Sequence, residues 1–203
     1  MEGIFITHWD EDHISAVGEL LDWSKSSRVK IRRIFLPDAA LKDEALETLL
    51  QQIEEAGVPV EYLSAGECMT DGALQISCLH PYAKKVPEDR NDASLVLRLS
   101  QGEFQMLLTG DLEQSGEDWL VEQAHPAAQN PLRCTILDAG HHGASNATGE
   151  ALLDLAQPGL VLISCGKNNR YGHPAPEMLK RLEERGICWY STAKVGAIQV
   201  HVG

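Results

Sequence analysis

Four side chains that commonly bind metal ions lie close together near the start of the sequence: His8, Asp10, Asp12 and His13. They follow the β-rich run Ile4-Phe5-Ile6 and precede residues 14–23, whose apolar positions recur at helical spacing. A turn between a strand and a helix can gather such side chains around one point, and histidine with carboxylate suits Zn²⁺ or Mn²⁺. The alternative is a helix N-cap, in which Asp10 or Asp12 accepts backbone N–H groups and the histidines lie on the surface.

Two later segments repeat this arrangement, in which an apolar strand ends in polar side chains. Met106-Leu107-Leu108 leads into Thr109-Gly110-Asp111, and a strand ending at Leu137 leads into Asp138-Ala139-Gly140-His141-His142-Gly143. By itself, Asp111 is more typical of a turn than of a site. Paired histidines after an apolar strand are less common, and the small residues beside them let a ligand approach the backbone. The pair therefore favours a metal or substrate site.

A fourth segment, residues 166–174, carries several groups that can bind an anion. Arg170 can hold a phosphate through two hydrogen bonds, and Lys167 offers a point charge. Asn169, Tyr171 and His173 lie in the same segment. The alternative is an ordinary solvated loop, but such loops rarely combine so many phosphate-type donors with a preceding core strand. All four segments follow predicted strands, whose carboxyl ends are where open α/β sheets place their sites.

The predicted elements indicate a layered α/β fold in a single domain spanning residues 1–203. A hairpin is predicted from residues 94–99 and 104–108, joined at Gln101-Gly102. Other strands and helices alternate along the chain. The strands are predicted at 4–6, 30–36, 60–63, 74–79, 134–137, 161–164, 189–190 and 197–202, and the helices at 14–23, 43–56, 114–123, 149–155 and 176–185.

Composition restricts the function only weakly. The formal charge of −13 argues against broad attraction to nucleic acid or anionic lipid, although carboxylates that bind metal ions are neutralised locally. No apolar run approaches the ~20 residues that cross a bilayer, and the first residues do not resemble a signal peptide. We therefore expect a soluble globular piece. The five scattered cysteines predict core residues rather than disulfides or a zinc ribbon.

The order of these motifs resembles the metallo-β-lactamase superfamily: the segment His8-Trp9-Asp10-Glu11-Asp12-His13, then Thr109-Gly110-Asp111, then Gly140-His141-His142-Gly143. Two features are closer to one branch, the metallo-β-lactamase-like domain of the ComEC competence (DNA-internalisation) family. Asp10 stands where most of the superfamily has histidine, and Asn91-Asp92-Ala93-Ser94-Leu95-Val96-Leu97 precedes Thr109. The resemblance implies an αββα sandwich with two divalent metal ions, zinc or manganese, at one edge.

The resemblance also implies roles for individual residues. His8 and Asp10 resemble the ligands of one metal ion, Asp12 and His13 those of the other, and Asp111 the bridging carboxylate. One of His141 and His142 would complete the second site; His141 is preferred because the superfamily ligand commonly follows a glycine, and the choice stays open. The catalytic candidates are Asp12, His142 and His173, and the substrate-binding candidates are Lys167, Asn169, Arg170 and Tyr171.

Two departures from the family pattern matter. Family members begin with a β-hairpin bearing an Asp-x-Gly turn, so the first strands of the sandwich are expected to be absent from this sequence. The usual histidine between the first motif and Thr109 is also missing, and Asn91, Asp92 or His80 stands nearest to its place. The first metal is therefore expected to bind weakly, or to be Mn²⁺ or Mg²⁺ rather than Zn²⁺.

The function implied is metal-dependent hydrolysis of phosphodiesters, with DNA as the substrate degraded during uptake. In a ComEC-type parent, this domain would be attached to the bacterial cell membrane and would work beside a membrane channel domain. Two alternatives stay open. One is a metallo-hydrolase on another ester, such as a choline-phosphate ester or a lactone, and the other is a truncated module without catalytic activity.

Overall fold

A computed structural model describes residues 1–39, 43–82, 87–124 and 130–202. Strands and helices alternate along most of the chain. The strands are β1 (Ile4–Phe5), β2 (Ile34–Pro37), β3 (Val60–Leu63), β4 (Cys68–Asp71), β5 (Leu74–His80), β6 (Val96–Gln101), β7 (Phe104–Leu108), β8 (Ile136–Asp138), β9 (Leu160–Ile163) and β10 (Cys188–Ser191). The helices are α1 (Glu11–Ile14), α2 (Val17–Ser26), α3 (Glu44–Glu55), α4 (Gln114–Ala124), α5 (Glu150–Ala156), α6 (Pro176–Glu184) and α7 (Thr192–Val195), and a 3₁₀ turn covers Gly140–Gly143.

The strands form two sheets. The smaller has the order β1-β2-β3 and is parallel. The larger has seven strands in the order β10-β9-β8-β7-β6-β5-β4. Strands β4 to β7 pair antiparallel, whereas β7 to β10 pair parallel. The carboxyl ends of β7, β8 and β9 consequently meet at one edge of the larger sheet.

Three apolar clusters bind these layers together. The first packs Val17 and Leu21 of α2 and Leu49 and Ile53 of α3 onto the small sheet. A second, which includes Phe35, Leu63, Cys78, Leu95 and Leu97, lies between the two sheets. A third packs helices α4, α5 and α6 onto the outer face of the large sheet, and contains Leu120, Leu152, Met178 and Leu182 together with Leu107, Leu137 and Val161. The order helix, sheet, sheet, helix confirms the layered α/β fold predicted from the elements and the αββα sandwich that the family resemblance implied.

Most predicted elements are present, and the hairpin of β6 and β7 pairs across Gln101 and Phe104. The strand predicted at residues 197–202 is wrong, because the chain forms α7 and then continues without strand pairing. Ser191 begins α7 by accepting a hydrogen bond from the Ala193 backbone N–H. Val200 and Val202 are exposed rather than packed. Strand β4, an edge strand with mostly exposed side chains, was not predicted.

The cysteines divide by their position in the sheets. Cys78 and Cys134 are buried, as predicted, and burial raises the pKa of each thiol to about 12. Cys68 and Cys188 are exposed on the edge strands β4 and β10, so the prediction of core residues is wrong for these two. All five cysteines are free thiols. In the described part of the chain, no helix is both long enough and apolar enough to cross a membrane.

Candidate metal centre

The first motif leaves the end of β1 and enters α1 directly. The Thr7 carbonyl accepts a hydrogen bond from the Leu95 N–H at 2.8 Å, which ties this turn to the segment before β6. Asp10 occupies the N-cap position of α1, but its side chain makes no capping hydrogen bond. The capping alternative is therefore wrong for Asp10. Its carboxylate faces other polar side chains instead.

Asp111 lies at the middle of the cluster. Its Oδ2 atom is 3.3 Å from Nε2 of His13, 3.5 Å from Nε2 of His142, 3.8 Å from Nε2 of His8 and 3.9 Å from Nε2 of His141. The preceding Gly110 has φ of +56°, and a Cβ atom there would lie 3.0 Å from Thr7 and 3.2 Å from Ser94. Only glycine fits this close turn without strain, so the local sequence places the carboxylate among the histidines.

Four residues bring their donor atoms within 4.8 Å of one another: Asp12, His13, Asp111 and His142. These residues come from α1, from the end of β7 and from the 3₁₀ turn after β8. Two carboxylates with two imidazoles form a mixed donor set that suits Zn²⁺ or Mn²⁺. We call this group the inner half of the centre.

His8 and Asp10 form the other half, which we call the outer half. His8 is fully buried, and its Nε2 atom lies 3.8 Å from Oδ2 of Asp10. The Nδ1 atoms of His8 and His13 each lie 3.2 Å from the Thr7 hydroxyl. Both Nε2 atoms are buried without a hydrogen-bond partner. Buried imidazole nitrogens turned toward carboxylates in this way fit a metal ion.

Burial and neighbouring charges shift the pKa values of three side chains in the cluster. Burial, with a contribution from His13, lowers the pKa of His8 to about 4. Burial also acts to lower the pKa of His13, but the Asp111 carboxylate outweighs it and raises that pKa. For Asp111, burial acts to raise the pKa and the neighbouring histidines outweigh it, so the pKa is lowered. The lowered pKa values favour a neutral His8 and an ionised Asp111, which are the forms that bind metal ions, whereas a metal ion at His13 would have to displace a proton.

The two histidines of the Gly140–Gly143 turn have different surroundings, although both have left-handed backbone conformations, with φ of 45° and 56°. His142 lies in the inner half, with Nε2 3.0 Å from Oδ2 of Asp12 and Nδ1 2.8 Å from the Ser164 carbonyl. His141 turns its Nδ1 toward Glu113, 2.9 Å from Oε1. The geometry therefore places His142, rather than the preferred His141, among the converging donors. Backbone strain of this kind is common at functional sites.

The predicted substrate loop lies beside His141. Lys167 and Arg170 are exposed, while Asn169 and His173 are half-buried. The His173 ring lies 5.8 Å from the His141 ring, centroid to centroid, and the Tyr171 ring stacks on His173 at 5.9 Å. Burial, together with His141, lowers the pKa of His173. This loop thus borders the cluster as the strand-end pattern predicted.

Three residues near the centre were not predicted from the sequence. Arg90 donates to Oδ1 of Asp10 at 3.0 Å and makes two further hydrogen bonds to Asp43, the N-cap of α3. Glu113 faces His141 and accepts hydrogen bonds from Asn91 and Asn146. Burial raises the pKa of Asp138, at the end of β8, to about 6. Asp138 belonged to a recognised motif, whereas Arg90 and Glu113 carried no signal beyond their residue type.

The residues nearest to the place of the missing histidine lie outside the four converging donors. Asn91 donates to Glu113, and Asp92 accepts from the Glu88 N–H. The Nδ1 atom of His80 is 2.8 Å from the Ser94 carbonyl, and the ring is buried. Each of the three thus has a contact of its own away from the outer half.

Comparison with known proteins agrees with this architecture. The chain is 34% identical over 199 residues to ComE operon protein 3 of Bacillus subtilis, which covers 98% of this chain and 24% of that protein. It is 32% identical over 153 residues to competence protein ComA of Neisseria gonorrhoeae, covering 73% of this chain and 21% of that protein. The chain thus spans about a quarter of the length of these relatives. No protein-family model matches the sequence.

Solved structures show the same fold. The metallo-β-lactamase fold protein YhfI of Bacillus subtilis superposes with a TM-score of 0.50 at 14% identity, over 80% of this chain and 63% of YhfI. Zn²⁺-bound PqqB of Methylobacterium extorquens superposes with a TM-score of 0.54 at 11% identity, over 94% of this chain and 70% of PqqB. The similarity to the two competence-related proteins shows that the chain belongs to the ComEC family, and its fold is that of a metallo-β-lactamase-like domain.

Proposed function

We propose that this domain is a metal-dependent phosphodiesterase that cleaves DNA during uptake. The observation that carries the proposal is the convergence of Asp12, His13, Asp111 and His142 beside a loop with two exposed cations. The relatives named as competence proteins support DNA as the substrate, and the metallo-β-lactamase fold supports hydrolysis. The membrane channel part of a longer parent protein is the partner we propose for the domain.

The residues of the centre fit two divalent metal ions, zinc or manganese. Asp12, His13 and His142 would hold one ion, His8 and Asp10 would hold the other, and Asp111 lies close enough to both groups to serve both. When bound, such ions supply Lewis acidity and neutralise negative charge on phosphate. The buried Nε2 atoms of His8 and His13, which have no hydrogen-bond partner, support the proposal of a cation site.

The remaining side chains have separate tasks. Lys167 and Arg170 would attract and orient the phosphate backbone. His141 would deliver a proton to the leaving oxygen; the Glu113 carboxylate 2.9 Å from its Nδ1 and the Asp111 carboxylate 3.9 Å from its Nε2 support this assignment. The Glu113 carboxylate would help to orient the ring, as carboxylates do for catalytic histidines. His173 lies behind His141 and would support the same proton transfer.

The test combines metal analysis with hydrolysis by the purified chain. We expect bound or readily taken-up Mn²⁺ or Zn²⁺ and metal-dependent cleavage of both a bis-aryl phosphate and single-stranded DNA. The variant Asp111→Ala should lose both the cleavage and most of the metal while its circular dichroism spectrum is unchanged. As a control, Asp22→Ala removes an exposed carboxylate on α2 and should behave as the parent chain. Unchanged turnover in Asp111→Ala, or a parent chain that takes up no metal, would contradict the proposal.

A further inference from the structure

Tyr171 is the most exposed large apolar side chain in the described part of the chain, with 75% of its surface accessible. One face of its ring stacks on the imidazole of His173, with an angle of 17° between the planes. His173 in turn contacts His141, which borders the metal centre. Two ring-to-ring contacts therefore connect the solvent-facing tyrosine to the candidate centre. The other face of Tyr171 remains open.

The loop that carries Tyr171 is held by one side chain. The Asn169 amide group donates to the Gly166 and His173 carbonyls, both at 2.7 Å, and its oxygen accepts from the His173 N–H at 2.9 Å. These hydrogen bonds close the loop across its base and leave Lys167, Arg170 and Tyr171 outside. The loop backbone is therefore held in place and the contact with His173 orients the exposed ring, which reduces the entropy lost when a ligand binds.

The charge of this loop differs from that of the whole chain. Residues 166–174 contain Lys167 and Arg170 and no carboxylate, in a chain whose formal charge is −13. A cationic loop with an open aromatic face is suited to a ligand that has both a phosphate and a flat ring. Proteins bind single-stranded nucleic acid through this pairing of a basic surface with a stacking platform.

We propose that Tyr171 and His173 form a stacking subsite for a nucleobase next to the phosphodiester that is cleaved. This inference rests on the proposed function and narrows it to single-stranded nucleic acid whose bases are free to stack. The same features disfavour a choline ester. A quaternary ammonium group binds aromatic faces, but here Lys167 and Arg170 lie in the same loop and would repel it.

The experiment compares two DNA oligonucleotides of equal length, one with bases and one built of abasic sites, with the metal-loaded chain. KM for cleavage and Kd for binding are measured for the parent chain, Tyr171→Ala, Tyr171→Trp and the control Tyr190→Ala, which removes an exposed tyrosine on β10. We expect Tyr171→Ala to weaken binding of the base-bearing strand by roughly 5- to 100-fold, the range for one lost base stack. The abasic strand should bind as before, and Tyr171→Trp should retain the preference.

Equal losses on both strands, or no loss on either, would overturn the stacking subsite. Failure of the proposed function has a different signature, because the parent chain would then cleave neither strand. In that case the Kd values alone decide the inference. A preference for the base-bearing strand that disappears in Tyr171→Ala supports the subsite, and its absence in the parent chain rejects it.

Discussion

The inner and outer halves of the candidate metal centre share Asp111 but are held together in different ways. In the inner half, Asp12 and His13 of α1 converge with His142 of the 3₁₀ turn on Asp111, and no Lys or Arg of the described residues forms an ion pair with these carboxylates. In the outer half, His8 is buried and fixed, whereas Asp10 shares its carboxylate between His8 and the Arg90 guanidinium. Arg90 thus stands beside the half that lacks a histidine of the family pattern.

This difference suggests that the two halves bind cations with unequal strength. The inner half offers two imidazoles and two carboxylates, counting Asp111, whereas the outer half offers one imidazole, a partly engaged carboxylate and the same Asp111. The outer half, which has fewer histidines, should also prefer the harder Mn²⁺ over Zn²⁺, because a larger share of its donors are oxygen atoms. Substitutions in each half should therefore have different effects on metal content.

The largest effect is expected in the inner half from His142→Ala. This change removes an imidazole whose Nε2 lies within 3.5 Å of both Asp12 and Asp111. Affinity for Mn²⁺ or Zn²⁺ should fall by more than the ~100-fold that marks the upper range for outer-shell substitutions. Isothermal titration calorimetry on metal-free protein measures the loss.

The matched variant His141→Ala changes the neighbouring ring, which faces Glu113. Metal affinity should change by less than about 10-fold, the lower limit for losing an outer-shell contact. Cleavage should nevertheless slow, because the proposed proton donor is gone. The reverse result, with tight binding retained in His142→Ala and lost in His141→Ala, would make His141 the ligand.

The sequence predicted the strand-end positions of the centre well but not the contacts between them. Apolar runs that end in polar residues are local patterns, and they located His8, Asp111 and the histidine pair correctly at the ends of β1, β7 and β8. The choice between His141 and His142 depends on left-handed backbone angles in the 3₁₀ turn. Tertiary contacts set these backbone angles, and the spacing of residues along the sequence does not predict them.

The contacts of Arg90 also could not be predicted from local sequence patterns. Its partners Asp10 and Asp43 are distant in sequence and come together only because α1 and α3 pack against the same small sheet. The strand predicted at residues 197–202 failed for a related reason. Its alternating pattern satisfied the local rule, but no strand among the described residues pairs with it.

A smaller effect is expected in the outer half from Arg90→Gln. Arg90 donates to Oδ1 of Asp10, while Oδ2 of the same carboxylate lies 3.8 Å from Nε2 of His8. Because outer-shell partners orient metal ligands, removing this one should lower cation affinity by about 10- to 100-fold. A titration of metal-free protein with Mn²⁺ should show the weaker of two binding events shifted and the tighter one unchanged.

The control for this variant is Asp43→Ser. Serine retains the N-cap of α3, but it removes the carboxylate that fixes Arg90 through two hydrogen bonds. We expect a smaller loss in the same direction. An increase in affinity in Arg90→Gln would mean that the guanidinium competes with the cation instead of orienting Asp10, and it would reverse the role assigned to Arg90.

The smallest effect is expected from Glu117, whose hydrogen bonds hold the segment next to the turn that carries His142. Glu117 of α4 is buried and accepts hydrogen bonds from the N–H groups of Thr148 and Gly149, at 2.5 and 2.7 Å. The Thr148 hydroxyl in turn accepts from the Gly140 N–H, at the start of the turn that carries His142. Burial raises the pKa of Glu117 to about 7, from 4.5. The folded state therefore binds an extra proton between these two values.

Stability from this group is consequently complete below pH 4.5 and is lost as the pH rises through about 7. Between pH 6 and pH 7 the loss amounts to about 1 kcal/mol. Urea unfolding of the metal-free chain at both pH values should show this difference for the parent and for the control Glu122→Gln, which changes an exposed carboxylate on α4. Glu117→Gln cannot titrate, so its free energy of unfolding should fall less over the same interval. Equal falls in the parent and in Glu117→Gln would show that the two N–H groups keep the carboxylate ionised throughout, and that the support of the inner half does not depend on pH in this range.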